Sequence, residues 1–135
     1  MKIQHVPLQH VAQTWELVQE HLAESQVHAK GDYTLEQIKL CVLTGQWLLL
    51  VATDDDNKIH GAMTVDFINR PNHRVAFVTG TGGKFVINEE TFKQLENICR
   101  VNGATKIECA ARDSMSRLLG RFGFNEKYII LEVSL

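Results

Sequence analysis

The stretch from residue 91 to residue 124 changes its periodicity twice, and it decides the fold: T-F-K-Q-L-E-N-I-C-R-V-N-G-A-T-K-I-E-C-A-A-R-D-S-M-S-R-L-L-G-R-F-G-F. Its apolar residues first recur every three or four positions, which predicts one buried helix face made of Phe92, Leu95, Ile98 and Cys99. Asn102-Gly103 predicts a left-handed helix end, and T-K-I-E-C-A-A then predicts a strand. Because a helix joins this strand to the one before it, the two strands should pair in parallel.

The residues around and after this stretch also carry signals of secondary structure. Asn88 is a suitable N-cap for the helix, with Glu89 and Glu90 in its first turn. Asp113 is expected to cap a short second helix that carries Met115, Leu118 and Leu119. The final residues, Y-I-I-L-E-V-S-L at 128–135, predict a last strand.

The N-terminal half predicts a strand, two helices and three further strands. Residues 2–6 form a possible short strand, and a first helix follows with Leu8, Val11, Trp15, Val18 and Leu22 on one face. A T-x-x-Q capping box at Thr34 begins a second helix, which Gly45 is suited to stop. The apolar run from Trp47, the segment 59–69 and R-V-A-F-V-T then predict an antiparallel meander that ends at the glycines from Gly80.

The predicted order is therefore βααβββαβαβ. It indicates an α/β (α+β) fold with four helices around a mixed, mostly antiparallel sheet of about six strands. A length of 135 residues is typical of one domain, so we expect a single domain over residues 1–135. The apolar content of 44% and the net charge of −2 are those of an ordinary globular protein and argue against a bulk nucleic-acid binder.

Several classes of protein are disfavoured by what the sequence lacks. It has no apolar run of about 18 residues and no secretory signal pattern, so we expect no membrane contact and a cytoplasmic location. Cys41, Cys99 and Cys109 lack C-x-x-C spacing and are expected to be reduced core residues. The histidines show no metal-ligand spacing either, so no metal site is expected.

The helix that ends in N-G, the K-I-E-C-A-A-R strand and the D-S-M-S-R-L-L-G-R-F-G-F helix together resemble the third helix, fifth strand and fourth helix of the GNAT superfamily of acyl-CoA N-acyltransferases. The strands G-Q-W-L-L-L-V and G-A-M-T-V, and the R-x-x-x-x-R-L-L segment from Arg112 to Leu119, resemble a divergent subgroup found in bacteriophages. This resemblance spans most of the chain. It implies a cytoplasmic enzyme, in the host cytoplasm if the chain is phage-encoded.

The resemblance also implies a site. Members of the superfamily bind acetyl-CoA where the fourth and fifth strands splay apart, and backbone N–H groups of the loop entering the third helix receive its pyrophosphate. That loop is expected here at Gly80 to Asn88. The family's Q/R-x-x-G-x-G/A motif aligns with Gly83, Val86 and Asn88 and matches at none of them. The implied cofactor residues are instead Val78, Thr79, Gly80, Gly82, Gly83, Lys84 and Arg112.

The G-T-G-G-K stretch at 80–84 also has a partial likeness to two nucleotide-binding motifs. A Walker A loop requires a glycine where Val78 stands and a serine or threonine where Phe85 stands, and a Rossmann motif requires a glycine at Phe85. Both nucleotide motifs therefore fail. A turn with no ligand, built on the conformational freedom of glycine, stays open beside the acetyl-CoA interpretation.

Acetyl transfer needs a polarised carbonyl and groups that move protons. The resemblance implies that a backbone N–H of Val78 or Thr79 polarises the thioester. The family's tyrosine acid is absent, because Leu119 occupies its position. Asp66, His73 and Glu108 are candidate bases, and Glu108 is preferred because a carboxylate between Ile107 and Cys109 can be buried with a raised pKa. The alternatives stay open: Glu108 faces solvent or pairs with Lys106, His73 is a surface residue of a turn, and Asp66 lies on the polar face of a half-buried strand.

The sequence thus predicts an acetyl-CoA-dependent N-acetyltransferase in which an unknown amine attacks directly. The alternative is a catalytically inactive GNAT-fold interaction or phage structural protein, which Leu119 and the displaced glycines favour. A homodimer or another protein partner is compatible with either.

Overall fold

The computed structural model describes residues 1–85 and 87–135, and within them the chain forms five strands and four α-helices. The strands are β1 (Lys2–His5), β2 (Trp47–Thr53), β3 (Ile59–Asn69), β4 (Arg74–Gly83) and β5 (Lys106–Cys109). The helices are α1 (Val11–Glu24), α2 (Leu35–Leu43), α3 (Glu89–Val101) and α4 (Asp113–Gly120). Short 3-10 turns at Leu8–His10 and Ser25–Val27 flank α1.

The sheet has the order β1-β2-β3-β4-β5, with all neighbours antiparallel except β4 and β5, which are parallel. The predicted meander and the predicted parallel crossover through α3 are both confirmed. The mixed class of the fold and its four helices are confirmed as well, within the residues that the structure describes.

Two layers of helix cover the sheet, and β2 is buried on both faces. Leu49 packs with Trp15, Val18 and other residues of α1 and α2, whereas the adjacent Leu50 packs with residues of α3 such as Leu95. Successive side chains of a strand point to opposite faces, so a continuous apolar run is what a strand between two layers requires.

The helix boundaries follow the signals in the sequence. Thr34 and Gln37 form a complete capping box at α2, and Asn88 caps α3 through the backbone N–H of Thr91. Gly45 and Gly103 follow α2 and α3 with φ values of +78° and +85°, in the left-handed region that favours glycine. Asp113 is the first residue of α4, and Arg112 takes the N-cap position predicted for Asp113.

One predicted strand is absent, and another is longer than predicted. Residues 128–135 form no strand in the single chain, so the sheet described has five strands where the sequence predicted about six. The apolar pattern was sufficient to predict β-structure, but a strand also needs a neighbouring edge to pair with. In contrast, β4 continues to Gly83, and the prediction that it ends at Thr79 was wrong.

No helix among the described residues has both the length and the apolar character that crossing a membrane requires.

Candidate functional site

The fourth and fifth strands are hydrogen-bonded along only part of their length. They pair from Val75 and Lys106 up to Val78 and Cys109, where β5 ends while β4 continues to Gly83. A cleft of about 560 Å³ opens at this point, and both strands line it, β4 through Val78, Thr79 and Gly80 and the end of β5 through Cys109 to Arg112. Beyond Val78, the edge of β4 that faced β5 is therefore unpaired and borders the cleft.

Thr79 forms a β-bulge where the strands separate. Thr64 on β3 lies opposite Gly80, and the next residue, Val65, lies opposite Val78, so Thr79 is the extra residue. The Thr79 hydroxyl lies 2.7 Å from the hydroxyl of the fully buried Thr64. Bulges re-aim backbone groups and are common beside active sites, and this one is held in place by a side-chain hydrogen bond.

Tyr33 also lines the cleft and contacts the same bulge. Its hydroxyl donates to the carbonyl of Thr79 at 3.2 Å, and its ring packs edge-on against Trp47 with the centroids 5.1 Å apart. Burial raises the pKa of Tyr33, and the carboxylates of Asp32 and Asp66 raise it further. The hydroxyl therefore keeps its proton at neutral pH.

Sequence reasoning missed Tyr33. It lies in a polar loop between two helices, and no spacing relates it to β4, 46 positions away. An aromatic residue in an otherwise polar loop was the available signal, and by itself that signal does not indicate a partner.

The glycines at the end of β4 lie against the last turn of α1. Gly82 is buried, and a Cβ there would overlap the backbone carbonyl of His21. Gly83 has a φ of +70°, and its N–H donates to the carboxylate of Glu24 at 2.9 Å. Close packing accounts for both glycines without a ligand, although both also line the cleft.

The connection from β4 to α3 is shorter than predicted, because Gly80 to Gly83 belong to the strand. It begins at Lys84, whose N–H donates to the carbonyl of His60 at 2.8 Å and whose side chain is exposed. Val86, one of the expected motif positions, lies outside the described residues. Gly80 is more open than Gly82, since a Cβ there would approach the Ser25 hydroxyl to 3.1 Å.

The N-terminus of α3 already carries its own cap and negative charge. The Asn88 side chain accepts from the Thr91 N–H at 2.9 Å, and the Thr91 hydroxyl accepts from the Asn88 N–H at 2.8 Å. Glu89 and Glu90 lie exposed in the first turn. These groups offset the positive end of the helix dipole, so they weaken its attraction for a phosphate.

The fourth helix supplies the other wall of the cleft. Arg112 at its N-cap is exposed and lines the cleft, and Met115 and Leu119 line it with apolar side chains. Leu119, at the position where the resemblance implies a tyrosine, therefore faces the site but carries no ionisable group.

Glu108 is held as a carboxylate by two cations. Arg70 donates to its Oε2, and Lys127 Nζ lies 3.1 Å from the same oxygen. The hydrogen bond from Arg70 is the largest cause of a lowered pKa. The expectation of a raised pKa was wrong because it considered burial without these partners. Glu108 lines a different groove, along β5 and α3.

The other two candidate bases differ in their surroundings. Asp66 is half-buried between Trp47 and Phe77, which lie opposite it on β2 and β4, and burial raises its pKa. His73 is exposed in the turn between β3 and β4, with Nδ1 3.0 Å from the Thr105 hydroxyl. In the part of the chain that the structure describes, no group of three or more His, Cys, Asp or Glu side chains is arranged for a metal ion.

Scans of the sequence against protein-family models and against curated proteins found no match. Solved structures do match. A probable acetyltransferase is 11% identical with a TM-score of 0.68 over 100% of this chain and 97% of its own. An aminoglycoside acetyltransferase from an uncultured soil metagenomic sample gives the same identity and TM-score over 99% and 97% of the two chains. A predicted acetyltransferase from Clostridium acetobutylicum, solved with acetyl-CoA, is 12% identical with a TM-score of 0.63 over 98% and 95%.

At this level of identity the likeness shows that the chain shares the fold of these three structures over essentially its whole length. The resemblance to a bacteriophage subgroup gains no support from these structures.

Proposed function

We propose that this protein is an N-acetyltransferase that uses acetyl-CoA and an amine acceptor. The single observation that carries the proposal is the separation of β4 from β5 at the bulged Thr79, beside a cleft lined by both strands. A free strand edge can pair with the amide groups of an extended ligand arm, as an added strand would. Acetyl-CoA carries such amides in its pantetheine arm.

In this proposal the ligand lies along Val78, Thr79 and Gly80, with its thioester at the bulge. Gly82 and Gly83 shape the end of the cleft. Because the N–H of Gly83 is bonded to Glu24 and the start of α3 is acidic, we assign the phosphate groups chiefly to the exposed side chains of Lys84 and Arg112.

The chemistry needs little from side chains. The amine nitrogen attacks the thioester carbonyl carbon, the C–N bond forms, and the C–S bond then breaks to release the thiolate of CoA. A backbone N–H at Val78 or Thr79 would stabilise the negative charge on the carbonyl oxygen. No covalent bond to the protein is required.

The proton that the thiolate takes up needs a donor, and Leu119 cannot supply it. We assign this role to Tyr33, because its hydroxyl is protonated at neutral pH and touches the bulge. The amine nitrogen loses one proton as the amide forms, and this proton returns Tyr33 to its neutral state after it has protonated the thiolate. Glu108, the base preferred from the sequence, would act only if its ion pairs with Arg70 and Lys127 opened.

Calorimetric titration with acetyl-CoA tests the proposal, with Lys84→Ala/Arg112→Ala as the informative variant. Both side chains are exposed, so the fold should survive, and the two lost charge-assisted contacts should weaken binding by at least about tenfold. Lys93→Ala/Arg121→Ala removes two exposed cations elsewhere and should leave the affinity unchanged. An absence of heat and of thermal stabilisation at millimolar ligand would reject the proposal.

A second candidate is a GNAT-fold interaction protein that has lost the chemistry, and Leu119 in the cleft wall favours it. It predicts indifference to acetyl-CoA together with a stable complex with a protein partner. The titration therefore separates the two candidates.

A further inference from the structure

Asp66 is a half-buried carboxylate among aromatic residues, on the face of the sheet that α1 and α2 cover. Trp47 lies opposite it on β2 and Phe77 lies opposite it on β4, so both are its cross-strand neighbours on this face. Tyr33 packs edge-on against Trp47, with the ring centroids 5.1 Å apart. Aromatic residues therefore lie on both sides of the carboxylate.

No side chain neutralises this carboxylate. Within residues 1–85 and 87–135, no lysine, arginine or histidine forms an ion pair with Asp66, which accepts a hydrogen bond from the backbone N–H of Phe67. Burial raises the pKa of Cys41, and the negative charge of Asp66 raises it further. A carboxylate that is partly withdrawn from water is stabilised by a cation, and none of the described side chains supplies one.

The carboxylate lies close to the proposed thioester site. Tyr33, Phe77 and Thr79 line the cleft, and the Tyr33 hydroxyl donates to the carbonyl of Thr79. The Thr79 hydroxyl contacts that of Thr64, which precedes Asp66 by two residues on β3 and shares its face. Since a strand rises by about 3.3 Å per residue, Asp66 lies about 7 Å from the bulge along the sheet.

The other charged groups of the cleft lie on two different segments. Glu24 and Asp32 line it from the end of α1 and the loop that follows, together with His28. Glu24 is bonded to the end of β4, whereas the charge of Asp32 acts on the Tyr33 hydroxyl. Arg112, the basic residue of the lining, lies at the N-cap of α4, where the phosphate groups are assigned. The part of the cleft beside Tyr33 is therefore acidic.

Resting on the proposed acetyltransferase activity, we propose that the acceptor is an alkyl diamine, with one nitrogen at the bulged Thr79 and the other bound as an ammonium by Asp66. The nitrogen that attacks must be neutral, because its free electron pair forms the C–N bond. The second nitrogen keeps its proton and its charge. An alkyl chain of about four carbons spans the distance of about 7 Å between the two positions.

The surroundings of Asp66 favour this ligand. Aromatic rings attract ammonium groups, and reduced contact with water strengthens the attraction between an ammonium and a carboxylate. The side chains of Trp47 and Phe77 offer apolar contacts to the alkyl chain. An acceptor that carried a carboxylate in place of the second ammonium would instead be repelled by Asp66 and Asp32.

The test is calorimetric titration of the free protein without acetyl-CoA, because this chain supplies every side chain of the diamine site. The probes are 1,4-diaminobutane, butylamine and 4-aminobutanoate, which share one alkyl chain and differ at one end. We expect the diamine to bind, butylamine to bind at least about tenfold more weakly, and 4-aminobutanoate to give no heat. These comparisons use the wild type and do not depend on the folding of a variant.

Asp66→Asn keeps the shape of the side chain and removes its charge, so it should weaken binding of the diamine by at least about tenfold. Asp55→Asn makes the same change at an exposed residue of the turn between β2 and β3 and should leave the affinity unchanged. Circular dichroism verifies that both variants are folded. Loss of affinity in Asp66→Asn alone supports the assignment.

The inference is overturned if millimolar diamine gives no heat, if butylamine binds as tightly as the diamine, or if Asp66→Asn binds like the wild type. Its failure is distinct from that of the proposed function. A protein that binds acetyl-CoA but not the diamine rejects the acceptor class alone, whereas one that binds the diamine but not acetyl-CoA rejects the acetyltransferase and leaves a diamine-binding site.

Discussion

The hydroxyl groups of Thr64 and Thr79 lie 2.7 Å apart across β3 and β4, at the position where β4 carries an extra residue. Thr64 is fully buried, so its hydroxyl depends on this partner, and the Tyr33 hydroxyl donates to the carbonyl of Thr79. The geometry of the proposed thioester site thus rests on three side chains from three separate parts of the sequence.

Thr64→Val should destabilise the protein by about 1 kcal/mol, because valine keeps the shape of threonine but leaves the Thr79 hydroxyl without its partner. Thr64→Val/Thr79→Val removes both hydroxyls and should recover part of that loss. Urea denaturation of the two single variants and the double variant measures the coupling. Strictly additive losses would show that the two hydroxyls do not stabilise each other.

Tyr33→Phe removes the hydroxyl proposed to protonate the leaving thiolate. We expect kcat for acetyl transfer to fall by about 100-fold, with little change in the affinity for acetyl-CoA, because the ring and its contact with Trp47 remain. Tyr128→Phe is the matched control, since Tyr128 is exposed and is not among the residues that line the cleft. An unchanged kcat would remove Tyr33 from the mechanism and leave its role structural.

The sequence predicted those parts of the fold that depend on local signals. The capping residues Thr34 and Asn88 were identified because a cap needs only the next three residues, and β2 was identified because its apolar run is continuous. The bulge at Thr79 was not predicted, since it depends on how β3 and β4 align over 15 positions.

The candidate site was predictable only in part, because its contacts also join residues that are far apart in the sequence. Val78 and Thr79 line the cleft beside the separating strands, and the resemblance drew attention to them because it covers β4, α3 and β5 together. Their role in binding stays a prediction. The partners of Glu108 are 38 positions earlier and 19 later, so no local pattern indicated that its pKa would be lowered.

Glu108 should make the stability of the protein depend on pH. Its folded pKa lies below the ordinary value of 4.5, so its ion pairs stabilise the folded state above that pH, and the stabilisation is lost as the pH falls through the folded pKa. The free energy of unfolding of the wild type should therefore fall more steeply than that of Glu108→Gln between about pH 6 and about pH 3.

Chemical denaturation across this range measures the difference, and Glu20→Gln, an exposed carboxylate on α1, is the control. Glu108→Gln also tests the catalytic role that the sequence predicted for Glu108. A base at Glu108 requires Glu108→Gln to lose nearly all of kcat at every pH, whereas a structural ion pair leaves kcat close to that of the wild type at neutral pH.

Gly82→Ala should be among the most damaging single substitutions in the chain, whether or not a ligand binds. Its added Cβ would overlap the carbonyl of His21, a backbone atom that cannot move without displacing the end of α1. Overpacking of this kind costs about 1–3 kcal/mol or more.

Gly120→Ala is the contrasting control, because the space beside Gly120 in α4 is open and alanine favours a helix by up to about 1 kcal/mol. Thermal denaturation without acetyl-CoA measures both. If Gly82→Ala melts like the wild type and loses only the binding of acetyl-CoA, the glycine serves the ligand; if it melts lower, the contact with α1 explains why glycine stands at this position.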